Sequence, residues 1–129
     1  MSIHGDNVEL PDKIKSPHPD VKSFQGAEIE EAVAGAKAAG GYVGNVLRSE
    51  HLSVGVYVLP AGGTDAQKPH EEDEVYYAVR GRAKFRAGSE DHAVAPGALL
   101  FVAPRQAHHF YEIEEELVLV VFWAPPHDR

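Results

Sequence analysis

The sequence predicts an all-β domain, a sandwich or barrel, preceded by a short N-terminal helix. Three observations predict it. From Tyr42 onward, apolar residues alternate with polar ones or run in short valine-rich stretches of strand length. Turn-forming clusters, among them Pro60-Ala61-Gly62-Gly63, Ala87-Gly88-Ser89-Glu90 and Pro96-Gly97, punctuate these stretches at short intervals. Ahead of them, residues 27–39 are rich in alanine and glutamate, a helical composition. A chain of 129 residues with 43% apolar residues is long enough for one packed domain.

Taken in order, residues 1–22 carry Pro11, Pro17 and Pro19 among charged residues and read as an extended arm. The barrel with its helix is expected over 23–123. In the helix, Glu28, Glu30 and Glu31 crowd the start and Lys37 lies near the end, which suits the helix dipole. Gly40-Gly41 ends it, and it is expected to pack outside the sheet without carrying chemistry. Strands follow at 42–48 and 51–59. Residues 74–80 form another, with a tight corner at Gly81 and a hairpin partner at 82–86. Strands at 91–95, 98–102, 108–113 and 116–122 complete the sheet, and 124–129 form a tail.

Composition removes several function classes. With no cysteine, disulfides, thiolate nucleophiles and thiolate ligands are excluded, so any metal must be held by nitrogen and oxygen. Twenty acidic against 12 basic residues give a formal charge of −8, which repels phosphate backbones and argues against nucleic acid. No stretch approaches the ~20 apolar residues of a membrane helix. Residues 1–11 lack the apolar run of a signal peptide, so a cytoplasmic location is expected.

The chemistry concentrates in residues 62–81 and at His108. His70 stands four residues before Glu74, and His108 follows the apolar run after Pro96-Gly97. Two imidazoles and a carboxylate are a donor set for a divalent first-row ion: neutral nitrogen donors plus an anion that offsets part of the charge.

These residues carry a resemblance. The pattern G-x5-H-x-H-x3-E-x6-G of the cupin family lies on Gly62, Lys68, His70, Glu74 and Gly81 with every spacing kept, Lys68 standing at the first histidine. The second cupin motif resembles 97–108, ending on His108, with Ala103 and Arg105 where a proline and a glycine are usual. The resemblance spans about 51–123 and implies the small cupin jelly-roll barrel. It also implies one divalent ion on His70, Glu74 and His108, and a homodimer whose N-terminal arm crosses to the partner. Iron is favoured; manganese, nickel and zinc accept the same ligands.

Lys68 has three placements. It points away, it binds an anionic substrate beside the metal, or its ammonium, which has no lone pair, replaces the ion's charge. Gln67 and Glu72 are candidate extra ligands, and a register with His70 first and Glu72 second is the alternative placement. Glu71 and Asp73 read as solvated. Glu74 is also the candidate proton acceptor. Tyr76 shares its alternation and Phe110 that of His108, so both are candidate substrate contacts beside Lys68; a core role for Tyr76 stands equally. His109 faces the other side of its strand, and His4, His18, His51, His92 and His127 read as surface residues.

Two functions follow. One is a metal-dependent enzyme on a small organic molecule, dioxygenase-like, or in its non-redox form a Lewis-acid isomerase or lyase. The other is a barrel that binds a small ligand without turnover.

Overall fold

A computed structural model describes residues 22–127 of the chain. The expected arm, apart from Lys22, lies outside the described residues, as do Asp128 and Arg129. The elements are α1 (Ile29–Ala38), β1 (Tyr42–Arg48), β2 (Ser53–Leu59), β3 (Asp73–Ala87), β4 (Glu90–Val94), β5 (Leu99–Val102) and β6 (His108–Ala124). Among the described residues no helix is long and apolar enough to cross a membrane.

The sheet runs β1-β2-β6-β3-β4, with β5 also pairing to β3, and every pairing is antiparallel. Its organising feature is the long ladder between β3 and β6, from Asp73 opposite Ala124 to Ala87 opposite His108. β5 pairs with the first half of β3 and β4 with the second. The ladder is sharply bent. Tyr76 and Phe85 lie nine residues apart on β3, about 30 Å along a straight strand, yet their ring centroids are 6.0 Å apart. The two halves therefore close on each other, which makes the jelly roll, and bury Leu59, Tyr76, Phe85, Val102, Phe110, Leu119 and Trp123 between them.

The bend corrects two expectations. Gly81 is not a hairpin corner, and 82–86 continue β3 rather than pairing back on 74–80. Gly81 is instead part of an irregular stretch where the register shifts against β6. Before it, Glu74, Tyr76 and Ala78 face inward; after it, Ala83 and Phe85 do. The parity changes, as a bulge requires, so the inward face continues around the bend. A hairpin and a bulge both call for a glycine at positive φ, and at φ +100 with the Glu116 carbonyl oxygen in the space an added Cβ would take, only glycine fits. Likewise the strands expected at 108–113 and 116–122 are one, β6, with its own kink at Glu112, φ +47.

The helix lies on the outer face, as expected. Val33 and Ala36, one turn apart, bury against Val56, Val58 and Val118, and Gly40 and Gly41, both at positive φ, turn the chain into β1. Arg80 reaches α1 through a two-pronged ion pair with Glu30 at 2.8 and 3.0 Å.

Candidate metal centre

The bend brings together residues that the sequence separates. Glu74 opens β3 opposite Trp123 near the end of β6, while His108 opens β6. Folding the ladder brings both ends of β6 to His70, whose ring lies 5.9 Å from that of His108 and 4.7 Å from that of Trp123. His70 itself is on the loop before β3, where its carbonyl accepts the Arg105 N–H at 2.6 Å, tying the loop to the turn before β6.

Ligand atoms of His70, Glu74 and His108 all lie within 4.8 Å of one another. Glu74 is 1% exposed and His108 6%. Nε2 of His108 is 3.1 Å from Glu74 Oε1, but neither Glu74 oxygen has an aligned hydrogen-bond donor. His108 Nδ1 donates to the Gln106 carbonyl at 2.8 Å, which leaves the lone pair of the neutral ring on Nε2, facing Glu74. A carboxylate removed from water without donors is costly. Lone pairs from Nε2 and Oε1 converging on one space are what a cation would satisfy, so the residues fit a divalent ion.

The two histidines shift in opposite directions, and at His108 a proton on Nε2 competes with a cation for the space beside Glu74. Burial pulls His70 below the usual histidine range, partly opposed by Glu74, with His127 and His108 lowering it further. Burial also works against protonation of His108, but Glu74 and the Gln106 carbonyl outweigh it and hold the ring above its ordinary value. Tyr76, 0% exposed, is pushed well above the usual phenol range, first by burial and then by Glu74, so it stays protonated. Its hydroxyl donates to Gln67 Oε1 at 2.9 Å and lies 3.2 Å from His108 Nε2.

Gln67 joins the site where Lys68 does not. Burial alternates from Gly63 to Lys68 and the period breaks at Pro69, so Lys68 is exposed where His70 is half-buried and the two do not share a side. Lys68 is solvent-exposed. Gln67 is turned inward by Asp65, whose Oδ2 accepts from Gln67 Nε2 at 2.8 Å and from the Phe110 N–H at 2.9 Å. The Gln67 amide oxygen thus faces both Tyr76 and His70, the latter at 3.4 Å. Asp65 was not legible in advance, being one carboxylate in a turn-rich loop. Phe110 shares the inward side with His108 as expected, but its ring is packed in the core 4.7 Å from Phe85 and 5.0 Å from Tyr76.

His127 is the clearest departure. Expected at the surface in a tail, it is 8% exposed, donates its N–H to Ser53 Oγ at 2.9 Å, and stacks on Trp123 at 4.2 Å. Its Nδ1 lies 3.1 Å from Glu72 Oε2. Glu72 is thus paired with His127. A cavity of about 330 Å³ lined by Asp65, Gln67, Arg86, His108 and His109 borders the centre on its His108 and Gln67 side. A second of about 340 Å³ lies between α1 and the outer sheet face, with an apolar lining and no donor set.

Residues 55–125 match the cupin domain family. An uncharacterised protein of Streptomyces coelicolor is 42% identical over 106 residues, 82% of this chain and 98% of that protein. Among solved structures, the DMSP lyase DddQ of Ruegeria pomeroyi is similar with a TM-score of 0.63 at 20% identity, covering 84% of this chain and 68% of that one. KdgF of a Halomonas species gives 0.62 at 18% identity, covering 67% and 79%. At these identities both structures speak for the fold alone.

Proposed function

This chain belongs to the cupin family, and on that premise we propose that it is a metal-dependent enzyme acting on a small organic molecule, with dioxygenase-like oxidation as its chemistry. The observation that carries the reading is Glu74, a fully buried carboxylate set between two imidazoles, with no aligned hydrogen-bond donor on either oxygen and His108 Nε2 3.1 Å from Oε1. On this reading His70, Glu74 and His108 hold one divalent ion, iron by preference. A bound ion of this kind supplies Lewis-acid polarisation and, if iron, the means to activate dioxygen.

The chain's own groups do the rest. Lys68, exposed to solvent, leaves the centre's charge to be balanced by a cation and not by an ammonium. Tyr76 keeps its proton and presents a hydroxyl that orients an anionic or enolic substrate. Gln67, locked by Asp65, offers a further oxygen donor on the open side. Glu74 serves as proton acceptor when the substrate is bound. The assembly proposed is a cytoplasmic homodimer. Tyr77, Leu99 and Phe101 form an exposed apolar patch where β5 pairs with β3, Tyr77 directly opposite Leu99, and this patch is the proposed interface.

A second reading is favoured by Tyr76: a buried hydroxyl held against His108 can pass a proton without any oxidant, which suits Lewis-acid isomerase or lyase chemistry. The test is oxygen uptake by the Fe²⁺-loaded chain over a panel of enolic and carboxylate compounds, beside His108→Ala and beside the same panel under argon. Uptake by the wild type alone supports the oxidation. Turnover that proceeds equally under argon moves the chemistry to the second reading. Binding without turnover in either condition contradicts both and leaves a ligand-binding barrel.

A further inference from the structure

His70 belongs to two ligand sets. Its ring lies between that of His108 and that of His127, at 5.9 and 5.1 Å. Ligand atoms of His70, Glu72 and His127 also lie within 4.8 Å of one another. This second set is built from both sides. Glu72 comes from the loop before β3. His127 comes from beyond β6 and is fixed three ways, by Ser53, by stacking on Trp123 and by Glu72. An ion pair between Glu72 and His127 accounts for Glu72 Oε2 but leaves Oε1 buried without a hydrogen-bond partner. That orphaned oxygen is the same signature that Glu74 carries in the first set.

We infer that His70, Glu72 and His127 form a second divalent-cation position beside the His70–Glu74–His108 centre. A neutral imidazole has one lone pair to give. The two sets therefore compete for His70, and one ion occupies one set at a time. The second set lies partly outside the family match, since His127 falls after residue 125. It is a feature of this chain's own C-terminal segment, and it partly compensates for the missing histidine at Lys68 by giving the ion an alternative pair of ligands around the one histidine the first motif retains.

The inference rests on the proposal that the centre holds an ion, and the test separates the two. The metal-stripped full-length chain is titrated with Co²⁺, read by visible absorption and by quenching of Trp123, the only tryptophan, which sits against both His70 and His127. The wild type is expected to bind one Co²⁺ per chain and not two. Glu74→Gln/His108→Gln is expected to keep one Co²⁺ with affinity at least about tenfold weaker, and to lose it when His127→Gln is added. His127→Gln alone is expected to keep one. Complete loss in Glu74→Gln/His108→Gln, with the wild type still binding and the variant's far-UV circular dichroism unchanged, overturns the second position and leaves the first. If that variant does not fold, Glu72→Gln/His127→Gln decides by the cobalt absorption alone, since His127 stacks on Trp123: a cobalt spectrum identical to wild type at all Co²⁺ concentrations overturns the inference, and a shift in it supports the inference. A wild type that binds no Co²⁺ overturns both proposals.

Discussion

Arg105 stands where the second cupin motif usually has a glycine, and it adopts φ +64. A side chain in the left-handed region costs about 1–2 kcal/mol relative to glycine, offset in part by glycine's greater freedom when unfolded. Arg105→Gly is therefore expected to raise stability, by up to about 1 kcal/mol, in a urea titration. The lost contact to Glu71 is between exposed groups and costs little. Gly81→Ala points the other way. With φ +100 and backbone atoms of Glu116 and Leu117 within 2.6 Å of the added carbon, it is expected to lose at least about 2 kcal/mol in the same assay. At the centre, Tyr76→Phe removes the hydroxyl from Gln67 and is expected to lower stability by about 1 kcal/mol while leaving the ion in place, so metal content stays and turnover falls. What could be read from the sequence at this scale was that His70, Glu74 and His108 belong together, because their spacing is carried by two short local motifs, and the structure does bring them within 4.8 Å of one another. Burial alternates from Gly63 to Lys68, which turns Asp65 and Gln67 inward and Lys68 outward, but exposed Pro69 follows exposed Lys68 and breaks the period before His70, so the motif spacing alone does not give the side on which Lys68 lies.

At the scale of elements, the fold's defining act is the bend of β3 and β6, and sequence periodicity sees it poorly. A bulge shifts the inward parity by one, so in sequence a single bent strand looks like two strands with a turn between them, as at Gly81 and near Glu112. The helix was easier, because its composition, its acidic start and its double-glycine end all agree. What holds α1 to the sheet is burial. Val33→Ala is expected to cost about 1–3 kcal/mol in a denaturant titration. Breaking the exposed Arg80–Glu30 pair by Arg80→Ala is expected to leave the midpoint close to wild type. The C-terminal residues after β6 were illegible for a different reason: they have no periodicity, and nothing in Pro125-Pro126-His127 announces that the histidine turns inward to Ser53, Glu72 and Trp123.

For the whole molecule, the family and the jelly-roll class were legible because two motifs and the turn spacing agreed, and the structure adds how one bent ladder gathers distant residues into a centre. The proposed dimer belongs to this scale: Leu99→Glu/Phe101→Glu is expected to shift sedimentation from dimer to monomer without changing the fold. The central claim is that His70, Glu74 and His108 hold a divalent ion, and elemental analysis of untagged protein purified without added metal, beside His70→Ala, tests it most directly. The account predicts about one transition-metal ion per wild-type chain and almost none in the variant. Absence of metal from the wild type even after reconstitution with Fe²⁺, Mn²⁺ and Zn²⁺, or equal metal in both proteins, would contradict it.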